Sequence, residues 1–381
     1  VLGKLLGAAR EIALAYAFGT SYIADAFRVA MTALLLPTHF FTGEALFGAF
    51  IPAYRRESAT GRPRLVRSVF TLLAGAMLVV TLALLVAAPP FVAILAPGFE
   101  EQTRELTVRL IRAGAVGVLL YSISALLINI QVAHGDYTPY SARPAVQNVA
   151  IIAAIGAAAA WNAPVLLTVG FVAAYLAMAV WTLWRVGRSD LPAGDALRPT
   201  RKLGGPHFTE FRRSVGHLAL FVLLTQASII VDRLVATLTG VGGVASLDYA
   251  HFVTDSVRAV FAVPIATLAL GQLGGLSWER ARESVERAFT VLLFGSAVIS
   301  LYVWGLSEDI VTVLYRRGEF QETATLLTTS ALQGFALGAW AATTGYVYLR
   351  VFNATLRNRE VAIAGAASLA VNVILDLALY G

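Results

Sequence analysis

Cysteine is absent from this 381-residue chain, and only 14% of its residues are charged. The first absence excludes disulfide frameworks, thiolate metal sites and cysteine nucleophiles. The second excludes an ordinary soluble enzyme, in which about 25% of residues carry charge. Long polar stretches are also scarce, since only Arg185 to Arg213 qualifies. What is present instead is apolar: 58% of the residues are hydrophobic and mean hydropathy is +0.72. Soluble cores stop growing at about 250 to 300 residues, so the excess must face lipid. The net charge of +6 fits loop arginines at a membrane surface better than a nucleic-acid surface, and no nucleic-acid partner is expected.

Stretches of about 20 apolar residues mark membrane-spanning helices. They fall near 1–18, 23–54, 67–95, 105–133, 143–161, 164–184, 215–238, 247–275, 288–306, 325–349 and 360–380. Runs such as Ala74 to Ala88 show no period of two, which excludes a β-barrel. The fold class is therefore all-α integral membrane. Arginines concentrate in alternate loops, including Arg55 to Arg67, Arg185 to Arg213, Arg280 to Arg287 and Arg350 to Arg359. The positive-inside rule puts these loops and the N-terminus in the cytoplasm. The opposite loops, among them Ser307 to Glu322, carry few basic residues.

The chain divides into an N-lobe at 1–186, a cytoplasmic linker at 187–214 rich in Pro and Gly, and a C-lobe at 215–381. At an offset near 220, Gly98-Phe99-Glu100 faces Gly318-Glu319-Phe320, and Val146-Gln147-Asn148-Val149 faces Ala370-Val371-Asn372-Val373. A repeat of this kind, with parallel topology, is a transporter pattern whose site lies between the lobes. The second lobe is expected to stop one helix short, giving eleven spans of twelve or more.

A charge at mid-bilayer costs about 2.5 to 3.5 kcal/mol on insertion scales, so each one is a functional candidate. At about 1.5 Å rise per residue, Arg10 and Glu11 in the first span and Asp232 and Arg233 in the seventh lie near the midplane. Asp255 and Arg258 stand one turn apart in the eighth span, and Glu44 follows the kink expected at Pro37 in the second. Together they suggest a polar cavity, the alternative being paired ion bridges that tie the lobes together. Asp25, Arg28, Asp248 and His251 lie nearer the outer face, where snorkelling or gate pairing is expected and repeat symmetry brings them face to face. Asn372 and Asp376 share a helix face at i, i+4. With Asp232 they could form part of a small-cation site, or the two could be a polar pair closing the lobe; spacing leaves both open. The five histidines show no metal-ligand spacing and no Ser/His/Asp set is visible, so no enzyme and no other cofactor is expected.

Gly7-Ala8-Ala9-Arg10-Glu11, Asp25-Ala26-Phe27, Gly43-Glu44-Ala45, Ala49-Phe50-Ile51-Pro52 and Leu314-Tyr315-Arg316-Arg317-Gly318-Glu319-Phe320 together resemble a known family. It is the MurJ/MviN lipid II flippases of the multidrug/oligosaccharidyl-lipid/polysaccharide (MOP) exporter superfamily, and the resemblance covers essentially the whole chain. It implies a MOP/MATE-like two-lobed transporter in the bacterial cytoplasmic membrane, flipping a polyprenyl-pyrophosphate-linked saccharide by alternating access. Cell-envelope synthesis proteins would be its partners, beside membrane lipids. Arg10 and Glu11 match the family's Gly-x-x-Arg-Asp/Glu motif, and Lys4 stands where another arginine is usual. Cation coupling, with Na+ as the candidate ion, would fall on Asp232, Asn372 and Asp376.

The sequence also departs from the pattern. Thr38 and His39 replace tandem arginines, Gly43-Glu44 inverts the usual order, and Phe252 replaces an arginine. These losses leave room for a lipid-linked saccharide other than lipid II, with Arg28 and Arg258 as compensating cations. The competing readings are a MOP exporter of small amphiphiles or drugs, and a membrane scaffold that transports nothing.

Overall fold

A backbone crossing lipid must satisfy its N–H and C=O groups internally, which runs of Ala, Leu and Val achieve as helix. In the computed structural model every regular element among the described residues is an α-helix. The structure describes residues 2–42, 44–188, 197–201, 203–204, 206–273, 278–354, 363–365, 367–368 and 370–371. In chain order the helices are α1 (Leu2–Phe18), α2 (Tyr22–Thr42), α3 (Glu44–Arg56), α4 (Arg62–Val86), α5 (Ala88–Leu95), α6 (Glu101–Ala133) and α7 (Thr138–Ala160). There follow α8 (Leu166–Val186), α9 (Pro206–Leu238), α10 (Gly243–Leu273), α11 (Trp278–Gly305), α12 (Ser307–Tyr315) and α13 (Glu322–Ala354).

Ten of the expected spans coincide with these helices, and most of the eleventh, at 360–380, lies outside the described residues. Among the described residues, α4, α6, α7 and α8 qualify as membrane spans by length and hydropathy alone. Elsewhere α1 has only 17 residues, while α2 and α10 carry Asp25 with Arg28 and Asp248 with Asp255 and Arg258 inside them. Three boundaries differ from expectation. The second span is two helices, with Pro37, where a kink is expected, inside α2 and Glu44 at the start of α3. The third divides at Ala87, because Pro89 and Pro90 suit the first turn of α5 but cannot extend α4. The stretch after the ninth span is not a loop: Ser307 opens α12, bent 67° from Leu292–Gly305.

The bend makes the repeat visible in the helices themselves. Short α5 precedes α6, and short α12 precedes α13. Helices α6 and α13 are both 33 residues long and are offset by 221 residues at each end. Each is the hub of its repeat: α6 packs on α2, α4 and α8, while α13 packs on α10, α11 and α12.

The repeats meet at both ends of the bundle. At the end carrying Gly19, Glu319 N–H donates to Tyr16 O at 2.9 Å, and the Tyr249 hydroxyl donates to Gly19 O at 3.0 Å. Gly318 has φ +63°, and a Cβ there would stand 2.4 Å from Tyr16 O. At the opposite end, which carries Arg55, α3 packs on α9. Phe50 meets Phe211 edge-on at 6.5 Å, and exposed Arg56 pairs with Glu210 at 2.5 Å.

Gly318→Ala should therefore lower the thermal midpoint in detergent, since left-handed backbone alone costs a side chain about 1–2 kcal/mol and the clash adds to it. Gly338→Ala, with nothing within 4 Å of the new Cβ, should match wild type. Equal midpoints for the two variants would show that the close approach does not constrain the fold.

Candidate functional site

Glu11 is 2% exposed in the middle of α1, and its carboxylate is held by two arginines. Arg10 donates to Oε1 from Nε at 3.2 Å and from Nη2 at 2.6 Å. Arg28, reaching across from α2, donates Nη1 to Oε1 at 3.3 Å and Nη2 to Oε2. The same guanidinium presents Nε to Asp248 Oδ2 of α10 at 3.3 Å and lies 5.0 Å over the Tyr249 ring. Asp248 then accepts Nη2 of Arg233 from α9 on both oxygens, at 2.8 and 2.9 Å. The result is an alternating ladder, Arg10–Glu11–Arg28–Asp248–Arg233, with three cations and two anions. Its Arg28–Asp248 rung joins the two repeats.

Side-chain exposures of 11% at Arg28, 13% at Asp248 and 15% at Arg233 put these pairs in the class where removing one partner costs about 3–5 kcal/mol. One face of the ladder opens on a cavity of about 300 Å³ whose polar lining includes Arg10, Arg28, Arg233, His39, Gln147 and Gln226. Phe27, Met31 and Leu35 supply apolar wall.

Asp25 does different work. It is 1% exposed, and its oxygens accept the backbone N–H of Gly242 at 2.6 Å and of Ala245 at 2.7 Å. A carboxylate of the first repeat thus caps the start of α10 in the second, where unpaired N–H groups and the helix dipole favour negative charge.

Of the residues singled out in the sequence, Arg10, Glu11, Arg28 and Asp248 come together, joined by Arg233, which the sequence marked as a midplane charge of the seventh span. The gate expected from Asp25, Arg28, Asp248 and His251 is not one cluster. Arg28 and Asp248 are buried in the ladder, whereas His251 turns to Asp255 at 3.3 Å and to the Phe335 ring. Asp255 and Arg258 pair with each other and do not reach the central cavity. They line a separate cavity of about 820 Å³ between α10, α11 and α13. Seven residues carry Asp255 about 10 Å along α10 from Asp248, to a level where α11 and α13 are its neighbours. Lys4 is exposed on α1 and does not line the central cavity. The Glu44 side chain, Asn372 and Asp376 lie outside the described residues. Asp232 is half-buried on α9 beside Arg233. Among the described residues no three His, Cys, Asp or Glu side chains gather to hold a metal.

The family model for lipid II flippase MurJ matches residues 14–381. The chain belongs to the MurJ family. The probable lipid II flippase MurJ of Rhizobium tropici is 26% identical over 362 residues, covering 88% of this chain and 65% of that protein. Its counterpart from Rhizobium meliloti is 28% identical over 398 residues, covering 99% and 72%. The chain thus spans about two thirds of the first relative's length. It superposes on a solved MurJ lipid II flippase in an inward closed conformation with a TM-score of 0.85 at 20% identity, covering 98% of this chain and 79% of that one. An inward-facing multidrug resistance MATE transporter of the MOP superfamily gives 0.66 at 13% identity, covering 99% and 94%. These likenesses show the fold: all-helical, with the helix arrangement of the solved MurJ and MATE transporters.

Two measurements follow from this geometry. Arg28→Leu should destabilise the protein by about 3–5 kcal/mol, because two buried carboxylates lose a partner at once; adding Glu11→Leu should recover part of that in the same melting assay. Asp25→Ala should open the Gly19 end, so that spin labels at Tyr22 and Val241 gain a longer distance population. An unchanged single distance would reduce Asp25 to a local helix cap.

Proposed function

We propose that this chain is the principal part of a flippase that moves a polyprenyl-pyrophosphate-linked saccharide, lipid II or a related envelope precursor, across the bacterial cytoplasmic membrane. The observation that carries the proposal is the ladder's surplus of cationic donors on the cavity. Arg233 Nε and Nη1 are buried without a hydrogen-bond partner, and the ladder's formal charge is +1. A pyrophosphate accepts bidentate guanidinium bonds as readily as a carboxylate does. It can therefore exchange with Glu11 and Asp248 for the same arginines.

That exchange supplies a route to alternating access. The Arg28–Asp248 rung crosses between the repeats, so an anion that takes Arg28 or Arg233 loosens it. Binding then shifts the balance between closed and open arrangements only through this differential interaction. In this reading the lobes are 1–186 and 215–381 with 187–214 as linker, and the arginine-rich loops and N-terminus are cytoplasmic. A cationic drug is the weaker substrate, because three guanidinium groups line the cavity.

In liposomes containing the full-length protein, a pyrophosphate-linked polyprenyl saccharide should cross between leaflets, and Arg10→Ala should slow it at least about tenfold, the loss of one charge-assisted bond. The variant should fold, because Arg10 is 27% exposed and Glu11 keeps Arg28. Wild-type rates in folded Arg10→Ala would remove Arg10 from the site.

Asp232, Asn372 and Asp376 are proposed to bind Na+ and couple it to return of the empty transporter. Raising sodium at fixed ionic strength and pH should raise the thermal midpoint of the full-length protein. The rise should vanish in Asp376→Ala; its persistence there would leave the three residues a structural role.

A further inference from the structure

Three arginines line the central cavity, Arg10, Arg28 and Arg233, and Arg143 stands on α7 one turn before the cavity-lining Gln147. The first three are paired with Glu11 or Asp248, but Arg143 of α7 has no carboxylate partner among the described residues. It is half-buried, and its guanidinium turns inward, donating Nη1 to the Tyr121 hydroxyl at 3.3 Å and lying 5.7 Å from that ring's centre. Tyr121 is 4% exposed. His39 lines the same central cavity. One turn further along α7, Gln147 faces the same cavity, and its Oε1 accepts the Tyr175 hydroxyl at 2.8 Å. Gln147 shares its cavity with Arg10 and Arg28, which puts this group beside the ladder.

Hydrogen-bond bookkeeping decides what the group can hold. Tyr121 Oη spends its lone pair on Arg143, leaving its O–H to donate elsewhere. Gln147 spends its carbonyl on Tyr175, leaving its NH₂ to donate. Arg143 has donors only. Guanidinium, phenol and amide are therefore three donor groups within about a turn of one another on and against α7, with no carboxylate among them.

We propose that Arg143, Tyr121, Gln147 and His39 form a second anion subsite, for a carboxylate carried on the saccharide of the substrate. This rests on the proposed function, with the ladder taking the pyrophosphate. The chain would then select polyprenyl pyrophosphates bearing an acidic sugar over those bearing a neutral one.

The test uses the full-length protein in nanodiscs and two probes, polyprenyl pyrophosphate linked to glucuronate or to glucose. Wild type should bind the glucuronyl lipid about tenfold or more tightly than the glucosyl lipid, the value of one charge-assisted pair. Arg143→Gln should bring the ratio close to one, Tyr121→Phe should lower it, and Arg143→Lys should restore part of it. Arg10→Ala should weaken both lipids and keep the ratio. Tight binding of both lipids with a ratio near one in wild type, or an unaltered ratio in Arg143→Gln, overturns the subsite alone. Binding of neither lipid by wild type overturns the pyrophosphate reading and the subsite with it.

Discussion

A carboxylate at 2% exposure in a membrane helix can stay ionised only where cations surround it, and Glu11 is placed accordingly. Two guanidinium groups from different helices converge on it. Because Arg28 also serves Asp248, the arrangement cannot be assembled one helix at a time. Glu11 has Arg10 within α1, but Arg28 and Asp248 gain their full set of partners only when α1, α2, α9 and α10 are all in place. This dependence ties the two repeats together at the level of the cavity, where lipid-like apolar packing gives no preference for one partner over another.

Closure at the Gly19 end is of another kind. It relies on backbone groups: a carboxylate on the N–H groups of Gly242 and Ala245, a tyrosine hydroxyl on Gly19 O, and Glu319 N–H on Tyr16 O. Such contacts need close backbone approach, which is why Gly318 stands at positive φ against Tyr16. They are few and separate: about 0.5–1.5 kcal/mol net for each neutral hydrogen bond and about 1.5–3 kcal/mol for each bond to the Asp25 carboxylate. An interface made of small, separable terms can open in response to a ligand, whereas the helix packing within each repeat stays intact. The hubs α6 and α13 provide that rigidity, with Leu110, Ile111, Ala115 and Val118 of α6 fully buried.

The second cavity, of about 820 Å³, contrasts with the first. Its charges, His251, Asp255 and Arg258, lie on a single helix and satisfy one another. A self-paired set of this kind holds nothing between lobes and leaves no surplus cation. The central ladder differs because its members come from four helices and its total charge is not zero.

The apolar excess, the arginine-rich alternate loops and the match of residues 98–100 with residues 318–320 were enough to read an all-helical membrane protein with a parallel repeat, because lipid enforces them locally along the chain. Arg10, Glu11 and Arg28 were legible as candidates for the same reason: a charge inside an apolar helix stands out without any knowledge of its neighbours. Their pairing was not legible. That Asp248 meets Arg28 while His251 and Asp255 turn away depends on how α10 is rotated and which helices flank it at each level, and the spacing of charges on one helix cannot supply either. Arg143 was not legible for a related reason, since it lies near the start of α7, where an arginine commonly snorkels to the interface. Only the tertiary structure turns it inward onto Tyr121. Periodicity and composition determine what each helix must bury; packing alone decides against what it is buried, because partner choice is made between side chains hundreds of residues apart in the chain.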